Sequence, residues 1–169
     1  MLGAITKTTD ISTILDKQTQ DILDIFDEVF RQLRQPPLLE NPIFKPDNSW
    51  TDSFGSCFRT DKQDNKIDLL FFIGNFGVEF HIDRTSEMPC LSYEFIQNNG
   101  EAFRQVLVDI FTSHIETEYK GSKTVLRFFD NNDKQKKELT FYRGISLNFL
   151  YKSEYKRYKP IFSVDSFVG

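Results

Sequence analysis

The chain has 169 residues, 39% of them apolar and 27% charged, with 18 phenylalanines and a formal net charge of −4. That length and aromatic content favour one packed domain over residues 1–169 and exclude a disordered chain. The longest apolar run, Leu69 to Ile73, is too short to cross a bilayer, two cysteines are too few for a disulfide framework, and MLGAITKTTDIS lacks the apolar stretch of a secretory signal, so the expected setting is reduced and cytoplasmic.

The charge is unevenly spread. Residues 1–60 carry 6 basic and 9 acidic side chains, residues 61–119 carry 4 and 11, and residues 120–169 carry 11 and 5. Such asymmetry predicts a charged interaction surface and says nothing about the fold.

In chain order, apolar residues recur at 22, 25, 26, 29, 30 and 33, a helical stripe. The spacing predicts a helix over Thr19 to Gln35, with a start as early as Ser12. Acids stand early in it, Arg31 and Arg34 stand late, and Pro36 and Pro37 stop it. Residues 36–49 hold four prolines. They predict an extended connection that covers a sheet edge and cannot enter a sheet interior. Trp50 to Thr60 alternates like a strand.

Lys66 to Asp83 is expected to form the central antiparallel hairpin. A type II′ turn at Gly74-Asn75 would face Ile73 with Phe76, Phe71 with Val78, Leu69 with Phe80 and Ile67 with Ile82. In the same scheme Cys57 opposes Leu69 on the apolar face, Phe58 opposes Asp68, and His81 opposes Asp68. Cys90 to Ile96 reads as another strand. Asn98-Asn99-Gly100 then caps a helix over Gly100 to Ser113, whose apolar stripe ends at His114. Thr124 to Phe129 and Glu138 to Arg143 pair across a polar loop. Residues 146–158 fit a helix or a strand equally well. The order predicts α+β, a mostly antiparallel sheet of about six strands with two to three helices packed on one face.

The candidate binding residues are acids of the central strands and their turns: Asp61, Asp64, Asp68, Glu79, Asp83, Glu87 and Glu94. Carboxylates on a rigid sheet attract a basic partner and speed its capture. The bland alternative is a solvated face whose charges discourage edge pairing. His81 beside Asp68 has the form of an acid–base pair, but no nucleophile is placed with it. The two histidines and two cysteines lack metal-ligand spacing. The tail YKSEYKRYK mixes Tyr151, Tyr155 and Tyr158 with Lys152, Lys156, Arg157 and Lys159, a pattern that nucleic-acid surfaces use. The acidic whole argues against that use, and helical spacing of the tyrosines would serve docking on the core.

The acidic stretch Asp61 to Asp83, the acidic first helix from Asp21 to Glu28, the size and the α+β class together resemble bacterial immunity proteins. These are the antidotes of contact-dependent inhibition and related polymorphic toxin systems. The resemblance implies a non-catalytic inhibitor that masks a cognate toxin, a basic nuclease domain being one such partner, with no cofactor and no membrane. The basic last third departs from a uniformly acidic inhibitor, so the partner can be met by either surface. The alternative expectation is a small-molecule-binding protein or enzyme with a Phe-lined pocket that uses His81 and Asp68.

Overall fold

The computed structural model describes residues 16–46, 55–61, 63–85, 90–143 and 151–163. The first helix, α1 (Lys17–Gln32), is opened by Asp16, whose carboxylate accepts from the Thr19 amide at 3.0 Å and the Thr19 hydroxyl at 2.8 Å. It ends before Pro36, where Arg34 takes a positive φ of 54° and the Gln35 amide reaches back to the Phe30 carbonyl at 2.8 Å. That left-handed residue closes the helix as glycine more often does. Mid-helix, Asp27 accepts from the Leu38 amide at 2.8 Å, which ties the proline-rich segment to α1. The segment makes a 3₁₀ turn (Leu38–Glu40) and becomes strand β1 (Phe44–Pro46). Pro46 lacks an amide proton, and β1 accordingly lies at a sheet edge.

The first sheet is antiparallel, in the order β1, β2 (Gly55–Thr60), β3 (Leu69–Gly74), β4 (Gly77–Ile82), β5 (Leu91–Ser92). The hairpin of β3 and β4 is present, but its register is two residues from the expected one. Phe71 faces Phe80, Ile73 faces Val78 and Leu69 faces Ile82, and the turn is Asn75-Phe76. A shift of two leaves each side chain on its face, so the apolar pattern could not separate the two registers. The positive φ, 131°, falls on Gly77 and not on Gly74. A Cβ on Gly77 would sit 2.0 Å from the Leu91 carbonyl oxygen, so the approach of β5 requires glycine there.

The β2–β3 connection departs further. Phe58 faces Phe71 and Cys57 faces Phe72, which puts Phe58 on the core face and Cys57 on the opposite one. Cys57 is still buried. The connection is longer than the simple loop assumed, and it holds Asn65 at φ 63°.

The predicted strand Cys90 to Ile96 is only β5 followed by helix α2 (Tyr93–Asn98). The Ser92 hydroxyl accepts from the Phe95 amide at 3.2 Å, and this cap outweighs the aromatic β-propensity of the stretch. Helix α3 (Gly100–Thr112) follows as expected. His114 is not a helix-end residue. It opens strand β6 (His114–Lys120), a strand the sequence did not mark. Strands β7 (Lys123–Phe129), β8 (Gln135–Tyr142) and β9 (Glu154–Tyr158) complete a second antiparallel sheet in the order β8-β7-β6-β9. The ambiguous tail is therefore a strand from Glu154, while residues 144–150 lie outside the described ones.

The molecule is α+β, and its nine described strands divide between two sheets. One apolar cluster joins them. Phe71 stacks on Phe26 of α1 and on Phe58 at centroid distances of 5.4 Å each, and Phe111 of α3 meets Phe30 edge-on at 5.1 Å. Ile115, Leu126 and Phe128 of the second sheet belong to the same buried cluster. At one end the sheets also touch through backbone: Lys66 and Lys159 form a parallel bridge, and the Lys159 amide donates to Asn65 at 2.7 Å.

Candidate functional site at the seam of the two sheets

The faces of β3 and β4 turned away from the core carry Leu70, Phe72, Glu79 and His81. Beyond the strand ends, Asp68 and Asp83 come together. The Asp83 amide donates to the Asp68 carbonyl at 2.7 Å, and Asp83 turns the chain at φ 55°. Thr85 locks that turn, its hydroxyl donating to the Ile82 carbonyl at 2.8 Å and accepting from the Ile82 amide at 3.2 Å.

Both carboxylates line two adjoining depressions. One, of about 290 Å³, lies over the seam and is walled by Gln63, Lys66, Asp68, Asp83, Lys156 and Tyr158. The other, of about 170 Å³, lies on the outer sheet face and adds Arg59, Leu70, His81 and Arg84 to the two acids.

The groups around them are held in place. Arg59 Nε is 3.4 Å from Asp68. Lys66 Nζ donates to the Ile161 carbonyl at 2.9 Å. Arg84 pairs with Glu154 at 2.6 Å and lies 4.0 Å over the Tyr119 ring. The Tyr119 hydroxyl donates to Asp83 at 2.7 Å. Burial, and then this hydrogen bond to a carboxylate, pushes Tyr119 up to about 12. Tyr158 is buried as well, and burial first, then the polar contact and charge of the neighbouring Asp83 carboxylate, raise it above the ordinary tyrosine range. Among the described residues no group meets hydrogen-bond geometry with its hydroxyl.

The structure thus brings together only part of the predicted acidic set. Asp68 and Asp83 share the site. Asp61 pairs with Lys45 at 2.8 Å near the β1 edge. Asp64 stands exposed in the turn before Lys66. Glu79 bonds His81 at 2.7 Å along its own strand. Glu94 is exposed in the first turn of α2, beyond β5. Glu87 lies outside the described residues. Basic groups interleave with these acids, so the surface is a mosaic and not a continuous negative sheet.

The expected His81–Asp68 pair does not form. Register places Leu70 opposite His81, and Asp68 is held by Arg59. The Phe-lined pocket expected with that pair exists elsewhere. It is a cleft of about 180 Å³ between α3 and β8 that includes Phe80, Phe128 and Phe141. Phe80 and His81 point to opposite faces of β4, so the pocket and the polar pair assigned to it are separated by the sheet.

In the tail, Arg157 pairs with Asp133 and lies 4.8 Å from the Phe129 ring centre, and Lys156 lies 4.6 Å over Tyr158. These cations are occupied within the fold. Among the described residues no group of three or more His, Cys, Asp or Glu is arranged to hold a metal ion, and no helix is long and apolar enough to cross a membrane.

Sequence reasoning missed Arg59, Lys66, Arg84 and Tyr119 as site residues. A parity-correct β2–β3 pairing would have found Arg59, which sits one row from Asp68. Tyr119 could not be found without β6. No protein-family model matches the chain, and no curated protein or solved structure is detectably similar to it.

Proposed function

We propose that this chain is a non-catalytic protein-binding inhibitor that meets its partner at the seam of the two sheets. The observation that carries the reading is the shared position of Asp68 and Asp83. Two carboxylates, whose main chains are joined by a hydrogen bond and whose oxygens are held by Arg59 and by the Tyr119 hydroxyl, form the common wall of two adjoining depressions. A lysine or arginine of a partner can enter either depression and meet a carboxylate already oriented, which lowers the ordering cost of binding. Exposed Asp64 extends the negative rim and steers encounter. The narrower reading keeps the same surface: an immunity protein that masks the active or substrate-binding surface of a cognate toxin. It rests on the overall resemblance in size, acidity and class.

The test is affinity capture of the tagged chain from its own organism at low and moderate salt, read by mass spectrometry, alongside an Asp64→Lys/Asp68→Asn variant. One stoichiometric protein, retained by the parent chain and lost by the variant, supports the binding surface. Toxicity of that protein when it is expressed alone, relieved by this chain, supports the immunity reading. Equal capture by parent and variant overturns the surface, and a harmless partner overturns the immunity role.

A further inference from the structure

We infer that the apolar cleft between α3 and β8 binds a free carboxylic acid with a compact apolar body. Three observations converge on it. The first is shape. Phe80 of β4, Ile110 of α3, Phe128 of β7 and Phe141 of β8 enclose about 180 Å³. An apolar cavity of roughly 150 Å³ accepts benzene, so this one takes a single ring with a short tail, or a short alkyl chain.

The second is a β-bulge. Phe128 pairs with Lys137 and Phe129 pairs with Gln135, which leaves Lys136 as the extra residue of β8. A bulge sets two successive residues against one on the neighbouring strand and re-aims their side chains. In a regular strand Lys136 and Lys137 would point to opposite faces. Lys137 lines the cleft with Leu139 and Phe141 by the ordinary alternation of β8, and the bulge brings Lys136 to the same side, where it reaches Asp109 of α3 at 2.5 Å and leaves Lys137 to the cleft.

The third is charge. Asp109, buried in the wall, is already matched by Lys136 and by Gln105 at 3.0 Å. Lys137 is half-buried, and among the described residues no carboxylate pairs with it. An ammonium partly withdrawn from water beside apolar walls gains most from an anion that brings its own apolar body. A neutral apolar molecule would leave it as it is. This cleft opens on the core side of β4, away from the seam with Asp68 and Asp83, so the two sites can be tested separately.

The experiment titrates the full chain with phenylpropionate and octanoate, and with phenylpropanol as the neutral analogue, following backbone amide shifts by NMR. Shifts in α3 and β8 are expected, with phenylpropionate bound about tenfold more tightly than the alcohol, the scale of one hydrogen bond to a charged group. Lys137→Met is expected to erase that preference and leave the alcohol's binding unchanged. Val106→Trp, which fills the cleft, is expected to abolish both. Lys137→Gln replaces Lys137→Met if the latter fails to fold. The inference is overturned by the absence of α3 and β8 shifts with either acid at millimolar concentration. Equal binding of acid and alcohol, or a preference that survives loss of the Lys137 charge, overturns it as well.

Discussion

Tyr119 donates its hydroxyl to Asp83 at 2.7 Å, and so links the second sheet to the turn that ends β4. Burial first, and the Asp83 hydrogen bond next, raise this tyrosine from 10.0 to about 12. The folded state therefore holds the proton more tightly than the unfolded one. The stabilisation is complete below pH 10 and is lost as pH rises through about 12. In a Tyr158→Phe background, NMR titration of tyrosine ring carbons should show Asp83→Asn lowering the Tyr119 value. Burial remains, so the value should stay above 10. An unchanged titration would show that Asp83 does not govern it.

Arg127 gathers three carboxylates on the outer face of the second sheet, Glu116 at 3.1 Å, Glu118 at 2.7 Å and Glu138 at 3.0 Å. Its hydrogen bond to Glu118 is the main cause that holds Glu118 below its ordinary 4.5, with Ser153 and Tyr155 assisting against the opposing effect of burial. A depressed carboxylate stabilises the fold above its unfolded value, and that stability is lost as pH falls through the folded value. Arg127→Met should cost about 2–4 kcal/mol at neutral pH, because buried Glu118 loses its countercharge. Urea denaturation should also show a shallower loss of stability below pH 4.5 than in the parent. Equal acid sensitivity in both proteins would discard Glu118 as the titrating group.

Phe71 touches rings from α1, β1, β2, β4 and α3, with Phe26, Phe44, Phe58, Phe80 and Phe111 all within 6.4 Å between centroids. Phe71→Ala should destabilise by about 3–5 kcal/mol, transfer and cavity terms together. Phe76, 42% exposed in the hairpin turn, has no such role. Phe76→Ala should change stability by less than about 0.5 kcal/mol. Equilibrium denaturation of the two variants side by side decides it, and comparable losses would refute this account of the core.

Gly77→Ala tests the hairpin register. Its φ of 131° and the 2.0 Å approach of a Cβ to the Leu91 carbonyl oxygen leave no room for a side chain. The expected loss is more than about 2 kcal/mol, with hydrogen exchange accelerating first at the β4–β5 pairing. Local exchange unaffected by the substitution would mean that β5 does not pack as described.

Periodicity alone located α1, α3 and the apolar face of the β3–β4 hairpin, because a face is a local property that repeats every turn or every second residue. It also marked Asp68 and Asp83 as lying on or beyond the outer side of those strands. It could not decide between registers that differ by two residues, since both bury Phe71 and Phe80. The contact that decides is Gly77 against Leu91, fourteen residues away in sequence. The expected facing of His81 and Asp68 failed for that reason.

Strand β6 was silent because His114, Glu116, Glu118 and Lys120 alternate with residues only partly apolar, among them Thr117 and Tyr119. That face becomes stable only when Arg127 of β7 neutralises it. Sequence by itself determined the class, the core face and the acidic character of the central strands. Only the tertiary structure decided that the strands divide into two sheets, that Asp68 and Asp83 share one wall at their seam, and that a bulge brings Lys136 onto Asp109 beside the apolar cleft that Lys137 lines. Each of these depends on pairings between distant segments, whose free energy exists only once both partners are in place.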